Sequence, residues 1–446
     1  MIKIYSPTAI LGYGFPLESH KEAYREKPDL IAVDAGSTDP GPYYLGKGIS
    51  FVEAEAVKRD LSLLLTLAKD LDIPLIIGSA GGCGTKSSVD FTYSIVESLC
   101  KELNIHFKVS IIYTDVDKER VKKALKDGNI RSLDGSFELN ESIIDRCTNI
   151  TAQIGIEPFM EAIKEDAQVI IAGRSYDPAP FAVIPVMKGY DMGLSLHLGK
   201  ILECGAIASE PGSGRDGLIG VLSSDYFDVF PLNPRRRCTV LSVSAHTLYE
   251  KSDPYHLAGP DGTISLEETK FSQINERMVR VTGTKFIPPK EKWIKIEGAE
   301  FIGFRSVCFA GIRDPIFISQ IDNILSEMEL ITKENFPDWI DKFKIHFHLY
   351  GKNGVMGKWE KNKEACHEIG LLIEVLSENE KIAKTVIGFI RSTLLHYGYP
   401  GRISTAGNLA FPFSPSDVIW GEVFRFSIYH LIKENYLDIS IIKKEV

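Results

Sequence analysis

The chain has 446 residues, 25% of them charged, and a formal net charge of −9 at pH 7. This length exceeds one ordinary hydrophobic core, so two domains are expected. The acidic balance argues against nucleic acid as a partner, because phosphate backbones attract basic surfaces. The sequence contains no apolar run of about 18 residues, which argues against a membrane span.

The cysteines and the N-terminus indicate a cytoplasmic protein. Seven cysteines are scattered along the chain and no CxxC pair occurs. Such spacing favours reduced thiols over a disulfide framework or a zinc cluster. Residues Met1–Tyr5 are typical of a first strand and do not resemble a signal peptide.

The first half of the chain alternates strand and helix patterns. Short apolar runs predict strands at Met1–Tyr5, Leu30–Val33, Pro74–Ile77, Phe107–Tyr113 and Gln168–Ala172. Helical spacing predicts helices at Ser50–Lys69 (with Ser50 as the N-cap), Ser87–Leu103, Asp117–Lys126 and Ile156–Glu165. This alternation predicts an α/β fold with a doubly wound, mostly parallel sheet.

The second half has an α+β pattern. Strands are predicted at Gly217–Leu222, Thr239–Val243, Met278–Val281, Trp293–Ile296, Phe301–Phe309 and Ile345–Tyr350. Helices are predicted at Pro315–Leu330 and Ala383–Tyr397. Pro, Gly, Asp and Asn cluster near residues 215–235, which favours a domain boundary there. We therefore predict an α/β domain with glycine-rich ligand loops at residues 1–222 and an α+β domain at residues 223–446.

A glycine-rich loop follows the predicted strand at Pro74–Ile77. Glycines let the backbone approach a ligand, and the free N–H groups of the next helix favour an anion. The loop matches neither a Walker P-loop nor a complete dinucleotide fingerprint, so anion binding is favoured over nicotinamide binding. Close strand–helix packing without a ligand is the other alternative. The predicted binding residues are Gly81, Gly82, Cys83, Gly84 and Thr85.

The loop after Leu30–Val33 carries two carboxylates and two hydroxyl groups. Asp34 and Asp39 are candidate proton carriers, and Ser37 and Thr38 are candidate substrate-binding residues. The alternative is a tight turn, since Asp, Gly, Ser and Pro all favour turns. Loops at the carboxyl ends of parallel strands are where ligands bind in such sheets, so a functional role is equally supported.

The loop after Gln168–Ala172 contains Arg174, Tyr176 and Asp177. The guanidinium fork of Arg174 suits a substrate carboxylate or phosphate. Tyr176 is a candidate substrate-binding residue and Asp177 a candidate acid or base. The alternative is an Arg–Asp pair that only fixes the loop.

The segment Met192–Ser209 is apolar with helical spacing. His197, Lys200 and Cys204 share one face of the predicted helix, so an ionisable row could line a pocket with His197 as a base. A buried core histidine is the competing interpretation. Arg215 follows in a glycine-rich loop that could close over a ligand.

The sequence requires no particular cofactor and leaves a divalent metal open. His346 and His348 would share one strand face, but no third ligand is evident by spacing. We therefore predict no metal-ligand set. The absence of GxSxG and HExxH motifs argues against a serine hydrolase and a zincin.

Several motifs together resemble the acyclic terpene utilisation protein A family, formerly a domain of unknown function. The resemblance spans nearly the whole chain. The motifs are DAGSTDPGPYYLG (34–46), GSAGGCG (78–84), AGRSYDPAPFA (172–182), HLGKILECGAIASEPGSGRDG (197–217), SVSAHTLYEKSDPYHLAGPDGT (242–263) and HYGYPGRISTAGNLAFPFSPSD (396–417).

The resemblance implies a role in bacterial degradation of citronellol and geraniol through CoA thioesters, including a lyase step on a branched hydroxy-acyl-CoA. It also implies a small companion protein, which is sometimes fused at the C-terminus. This chain ends at Val446 without a recognisable fused copy, so a separate companion subunit is expected. The resemblance assigns no catalytic residues.

Residues and resemblance together predict a lyase, either a hydro-lyase or a carbon–carbon lyase. Its substrate would be a small branched hydroxy acid, a di- or tricarboxylate, or the CoA thioester. An isomerase or racemase of the same substrates, or a non-catalytic partner of the companion protein, are the alternatives, and a nicotinamide oxidoreductase ranks below them. We expect a homo-oligomer with neither nucleic acid nor membrane as a partner.

Overall fold

The fold is that of a computed structural model, which describes residues 1–133, 135, 138–362, 364 and 366–446. The chain divides into two compact units. Unit 1 comprises Met1–Glu300 and Phe426–Val446, and unit 2 comprises Phe301–Arg425. The boundary expected between residues 222 and 223 falls inside unit 1, because the hairpin on either side of it continues one sheet.

The strands of the described residues are numbered in chain order. They are β1 (Ile2–Ser6), β2 (Leu30–Asp34), β3 (Leu75–Gly78), β4 (Lys108–Tyr113), β5 (Ile130–Ser132), β6 (Cys147–Ala152), β7 (Val169–Ala172), β8 (Leu218–Leu222), β9 (Tyr226–Pro231), β10 (His256–Gly259), β11 (Gly262–Ser265), β12 (Lys270–Asn275), β13 (Met278–Thr282), β14 (Lys285–Ile287), β15 (Trp293–Ile312), β16 (Lys344–Tyr350), β17 (Ile369–Ser377), β18 (Asp417–Lys433) and β19 (Ser440–Glu445).

The α-helices of the described residues are numbered in the same way. They are α1 (Leu17–Glu26), α2 (Pro42–Lys47), α3 (Ala54–Leu71), α4 (Lys86–Leu103), α5 (Lys118–Lys126), α6 (Glu141–Arg146), α7 (Glu157–Lys164), α8 (Ala179–Met187), α9 (Met192–Leu202), α10 (Val240–Thr247), α11 (Pro315–Asn335) and α12 (Glu380–His396).

Unit 1 is built on a ten-stranded sheet of order β12-β13-β9-β8-β1-β2-β3-β7-β4-β19. Its centre, β1-β2-β3-β7-β4, is parallel. The strands on both flanks pair antiparallel. The prediction of an α/β fold is therefore confirmed, but the doubly wound arrangement is not, and the sheet is mixed where a mostly parallel one was predicted. The short connections after β8 and β12 turn the chain back at once, and only antiparallel pairing allows this.

Both faces of the parallel centre are buried, because residues alternate between two hydrophobic cores. Ile4, Leu30 and Ile76 face one core, which also contains residues of α8 and α9. Tyr5 and Ile31 face the other core, which contains residues of α3 and α4. Burial on both faces explains why β2 and β3 are continuous apolar runs without a polar alternation.

Unit 1 contains smaller sheets beside the large one. β10, β11 and β14 form an antiparallel three-stranded sheet. β6 pairs antiparallel with Ile296–Glu300 at the start of β15, and β5 pairs antiparallel with the end of β18. These pairings place the first residues of β15 within unit 1.

Unit 2 is an antiparallel sheet with two long helices. β17 pairs with the end of β15 on one side and with β16 on the other. Burial alternates strictly along β17, which is the pattern of a sheet covered on one face. The buried residues of α11 and α12 join that face in one hydrophobic core.

Two element predictions were wrong. Thr239–Val243 was predicted as a strand, but α10 begins there because Thr239 and Ser242 form a reciprocal capping box. Ser50 does not cap α3, since its hydroxyl bonds to the backbone of Val52. The helix begins at Ala54 with Glu53 as its N-cap.

Candidate active site

The candidate site lies where the parallel strands of unit 1 end. Asp34 is the last residue of β2, and Arg174 follows β7 by two residues. β2 and β7 are both parallel neighbours of β3, so their carboxyl ends meet at one edge of the sheet. Ligands of such sheets bind at this edge.

Arg174 joins the loops at this edge. Its side chain is buried and its Nε donates to Glu297 Oε2 at 3.1 Å. Its Nη1 donates to Asp177 Oδ1 at 2.9 Å and to Ser79 Oγ at 3.1 Å. Burial alone would lower the pKa of Arg174, but Glu297 and Asp177 raise it above its ordinary value, so the guanidinium stays charged.

Glu297 is a buried carboxylate held by two cations. Lys295 Nζ lies 2.9 Å from Glu297 Oε1, and Thr38 Oγ1 donates to the same oxygen at 2.8 Å. Burial opposes ionisation of Glu297, but Arg174 and Lys295 outweigh it and lower its pKa to about 2. Glu297 therefore fixes Arg174 and Thr38 in an ionised network.

Asp34 is buried without a full set of partners. It is 5% exposed, and its Oδ1 makes no hydrogen bond to any described residue. Burial and the neighbouring Asp177 raise its pKa well above the ordinary value, although Arg174 opposes this. A carboxyl group with a raised pKa and an unoccupied oxygen is suited to proton transfer.

The end of α9 adds a second charged group. Lys200 Nζ lies 2.5 Å from Glu203 Oε1, and the Cys204 thiol donates to Glu203 Oε2 at 2.8 Å. Burial opposes the charge on Lys200, but Glu203 outweighs it and raises the Lys200 pKa to about 12. Burial raises the pKa of Glu203, as does Asp177, against the effect of Lys200.

α10 and the turn after it complete the cluster. Burial and Lys200 lower the pKa of His246 to about 3, and the same two causes lower the pKa of Lys251. His246 Nε2 is buried and makes no hydrogen bond to any described residue. We define the buried charge cluster as Asp34, Arg174, Asp177, Lys200, Glu203, Cys204, His246, Lys251 and Glu297, which these electrostatic interactions connect.

The glycine loop is buried and packed against its neighbours. A Cβ on Gly84 would lie 2.0 Å from the backbone N of Arg174, and one on Gly81 would lie 2.7 Å from Ser88 Cβ. Gly82 packs in the same way against the ring of Phe51. Glycines are needed at these positions because neighbouring segments of the protein pack directly against the loop backbone. Anion binding by the loop stays a prediction.

The other residues predicted in the glycine loop are hydrogen-bonded within the protein. Thr85 Oγ1 caps α4 by accepting from Ser88 N. Cys83 Sγ lies 3.3 Å from Ser88 Oγ and 3.6 Å from Thr85 Oγ1. Cys83 and Thr85 are both buried, so the described structure shows them within the loop's own network.

The first loop divides between the site and the surface. Thr38 is buried and bound to Glu297. Ser37 Oγ accepts from the backbone N of Asp39 at 3.1 Å, and Asp39 itself is exposed. The structure therefore brings Asp34 and Thr38 to the buried network and leaves the Asp39 side chain outside it.

His197 is fully buried with both ring nitrogens occupied. Nδ1 lies 2.8 Å from Thr284 Oγ1, and Nε2 lies 3.0 Å from Thr247 Oγ1. Burial and Lys200 lower its pKa to about 3. These contacts are those of a neutral core histidine, the competing interpretation of this residue, and leave neither ring nitrogen open to a substrate proton.

Tyr176 and Arg215 differ in burial. Tyr176 is 5% exposed, and its hydroxyl makes no hydrogen bond to any described residue. Burial and the nearby Asp177 raise the Tyr176 pKa, so the phenol stays neutral. Arg215 is exposed, while the adjacent Asp216 is buried and bound to Arg236.

Sequence reasoning did not select several members of the cluster. Glu203, His246 and Lys251 lie within motifs that were noted, but only folding brings His246 and Lys251 near Lys200. Glu297 lies near the start of the long strand β15, and its contact with Arg174 spans 123 residues. One signal in the sequence could have indicated Glu203: it is a carboxylate next to Cys204, at the end of an otherwise apolar helix.

Three clustered side chains could hold a metal ion. The ligand atoms of Glu203, Cys204 and His246 all lie within 4.8 Å of one another. His346 and His348, which the sequence places on one strand face, are not part of such a group among the described residues. His348 instead contacts Glu374 at 3.1 Å.

Fold and site together define a mixed α/β protein with a buried, ionisable cluster at the carboxyl edge of its parallel strands. The chain belongs to the family described as acyclic terpene utilisation family protein AtuA, whose model matches residues 54–212 and 233–412. This confirms the resemblance drawn from the motifs and associates the chain with a family named for a catabolic process. No curated protein and no solved structure matches the chain.

A membrane-spanning helix was not expected. Over the described residues, no helix combines the length and the apolar character needed to cross a membrane.

Proposed function

We propose that this protein is a lyase that acts on a small branched hydroxy acid, a di- or tricarboxylate, or the corresponding CoA thioester. The observation that carries the proposal is the buried Asp34 carboxyl, whose Oδ1 has no partner among the described residues. It lies in a cluster that also offers a fixed guanidinium. Lyases of hydroxy acids need both a proton carrier and an anchor for the substrate carboxylate.

Arg174 supports the role of anchor. Nε and Nη1 are bound to Glu297, Asp177 and Ser79. Nη1 also donates to the Ser175 carbonyl, and the hydrogen bonds of this side chain to described residues all run through Nε and Nη1. A buried guanidinium held rigidly by two carboxylates and presenting one unused N–H edge suits a carboxylate or phosphate group.

Asp34 supports the role of acid. Its raised pKa keeps a proton on the carboxyl group nearer neutral pH than usual, and this proton can pass to the leaving hydroxyl group. In a hydro-lyase a base removes a proton from the neighbouring carbon, the electron pair of that C–H bond forms a carbon–carbon double bond, and the C–O bond breaks so that the hydroxyl leaves as water with the proton from Asp34. Asp177, which accepts from Arg174 and interacts electrostatically with Asp34, is the candidate for that base.

The test is an incubation of the full chain with citramalate, citrate and 3-hydroxy-3-methylglutaryl-CoA, followed by mass spectrometry. Loss of water or of an acetate-sized fragment supports the lyase. A product of unchanged mass would contradict it and favour an isomerase or racemase. A cooperative melting transition shows that the purified protein is folded. If such a folded protein turned over none of the three probes, this would contradict the proposed substrate class.

Asp34→Asn tests the residue assignment. The amide has the shape of the protonated carboxyl group, so the variant keeps its fold, while kcat falls by roughly 100-fold because proton transfer is lost. Asp225→Asn, an exposed carboxylate in the loop after β8, serves as the matched control with unchanged kcat. Equal kcat values for both variants would remove Asp34 from the mechanism.

A further inference from the structure

We propose that Glu203, Cys204 and His246 form a binding site for one zinc ion. The three ligand atoms lie within 4.8 Å of one another. Within the described part of the chain, no other group of three His, Cys, Asp or Glu side chains converges in this way. The inference concerns metal binding and does not depend on the proposed lyase reaction.

The unpaired nitrogen of His246 is the independent observation that points to a ligand. His246 is 4% exposed, and its Nε2 makes no hydrogen bond to any described residue. A buried ring nitrogen without a partner loses hydration with no compensation. Its pKa, lowered to about 3 by burial and Lys200, leaves the imidazole neutral, which is the form that coordinates a metal.

The other two ligands already share a proton that a metal would replace. The Cys204 thiol donates to Glu203 Oε2 at 2.8 Å. The second oxygen, Oε1, is held by Lys200 Nζ at 2.5 Å. This ammonium orients the carboxylate and leaves Oε2 facing the sulfur, as expected of a residue that supports a metal ligand.

The donor set selects the metal. One sulfur, one imidazole nitrogen and one carboxylate oxygen suit zinc, whereas magnesium and calcium prefer oxygen ligands alone. Ligand atoms of a tetrahedral zinc lie about 3.5 Å apart, so small side-chain rotations suffice. Three protein ligands leave a fourth position for water or a substrate oxygen, as in catalytic zinc sites.

The residues around the three ligands carry charges of both signs. Electrostatic interactions link Glu203 to Asp177 and to Lys200, and Cys204 to Asp34. Lys251 faces the same group, and burial and Lys200 lower its pKa. Asp177 therefore contributes negative charge beside the ligands, and Lys200, paired with Glu203, contributes positive charge.

The first measurement is metal binding by the full chain. The purified protein is stripped with a chelator, loaded with Zn²⁺ and analysed for bound metal after gel filtration. We expect one zinc per chain. Loading with Co²⁺ in its place gives thiolate-to-cobalt charge-transfer absorption, which only a sulfur ligand produces. Metal well below one per chain, or a cobalt spectrum without that absorption, would overturn the proposal.

Variants assign the ligands. Cys204→Ser, His246→Gln and Glu203→Gln each weaken Zn²⁺ affinity at least ~10-fold, the lower bound seen when residues that merely support metal ligands are replaced. Cys204→Ser also removes the charge-transfer band. Affinity is measured by competition with a chromophoric chelator, and melting temperatures without metal show that the variants fold.

Two controls separate coordination from burial. Cys100→Ala removes a buried core thiol, and His20→Asn removes a buried ring whose Nδ1 also lacks a partner. Both keep the wild-type affinity and cobalt spectrum if the site is the proposed one. Equal losses in these controls would contradict the assignment. A zinc-binding chain without turnover leaves this inference standing and removes only the proposed function.

Discussion

Gly84 shows at the residue scale why part of the glycine loop cannot carry side chains. Its φ is +65°, and a Cβ would lie 2.0 Å from the backbone N of Arg174. Gly128 has a similar φ of +70°, but nothing lies within 4 Å of its Cβ position. A side chain at Gly84 would therefore meet both backbone strain and a steric clash, whereas one at Gly128 would meet backbone strain alone.

We expect Gly84→Ala to destabilise the protein by about 3 kcal/mol, because backbone strain and overpacking add. Gly128→Ala carries the strain alone and costs about 1 kcal/mol. Urea unfolding midpoints of the two variants against the wild type check this. Similar losses at the two positions would show that the contact with Arg174 is not rigid.

His20 makes stability depend on pH. It is buried in α1, and burial lowers its pKa to about 4. The folded state therefore keeps a neutral ring, while the unfolded chain takes up a proton below pH ~6.5. Stability is fully present above that pH and is lost as the pH falls towards 4.

From this one group we expect a loss of about 2 kcal/mol in unfolding free energy between pH 7 and pH 5. His20→Asn removes this contribution, so its stability falls less over the same range. His106→Asn, at an exposed position, keeps the wild-type pH dependence. Urea unfolding at the two pH values gives the comparison, and parallel pH curves for wild type and His20→Asn would refute it.

The residues of the site were partly predictable. Asp34, Arg174 and Asp177 follow strands, so the rule for parallel sheets selects them from sequence alone. Glu297 and His246 follow no such rule, because their positions near Arg174 and Cys204 depend on contacts between distant segments. His197 was misleading, since a polar residue on an apolar helix face has the same pattern whether it binds a ligand or two core threonines.

At the element scale, α12 depends on its N-cap residue, Asn379. Asn379 Oδ1 accepts from Lys381 N at 3.0 Å and from Ile382 N at 3.2 Å. Asn379→Ala leaves these N–H groups without that acceptor and is expected to cost about 1 kcal/mol. Asn379→Asp keeps an acceptor and adds a favourable charge at the helix N-terminus.

Hydrogen exchange of the first turn of α12, together with urea midpoints, measures the effect. We expect faster exchange and a lower midpoint for Asn379→Ala, and wild-type values or better for Asn379→Asp. A loss of stability in both variants would mean that the asparagine acts through a contact other than the cap.

Helices were predictable where the helical periodicity extends over many residues. Strands were predictable where a short apolar run lies between turn-forming residues. α4 and β7 begin within one residue of the predicted positions. The prediction failed at α10 because Thr and Val favour strands, whereas the capping box of Thr239 and Ser242 starts a helix there. The two predicted strands at Trp293 and Phe301 are one strand, β15, because its pairing partners change from β6 to β17 along its length.

At the scale of the whole molecule, the sheet could be predicted only in its centre. Strand–helix alternation indicates parallel strands, and β1, β2, β3, β7 and β4 follow it. The antiparallel flanks join strands from separate parts of the sequence, such as β19 on β4. No local sequence pattern encodes such pairings. For the same reason, the boundary expected at residues 222 and 223 differs from that of the compact units, since β9 continues the sheet of unit 1.

Unit 2 has the features of an independent folding unit. Its hydrophobic core consists only of residues between Phe301 and Arg425. Its ends lie on β15 and β18, which are neighbours in their sheet. A segment with its own core and adjacent ends can fold by itself. We therefore expect residues 301–425, expressed alone, to unfold cooperatively in urea and to give dispersed amide NMR signals.

Two Asp substitutions, one at a buried and one at an exposed position, test whether the core of unit 2 drives its folding. Ile373 is 0% exposed on β17, whereas Leu330 on α11 is 60% exposed. Ile373→Asp buries an unpaired carboxylate and costs more than about 4 kcal/mol, which abolishes the cooperative transition of the segment. Leu330→Asp changes a solvated position and leaves the transition in place. A wild-type segment without any transition would show that unit 2 needs the rest of the chain to fold.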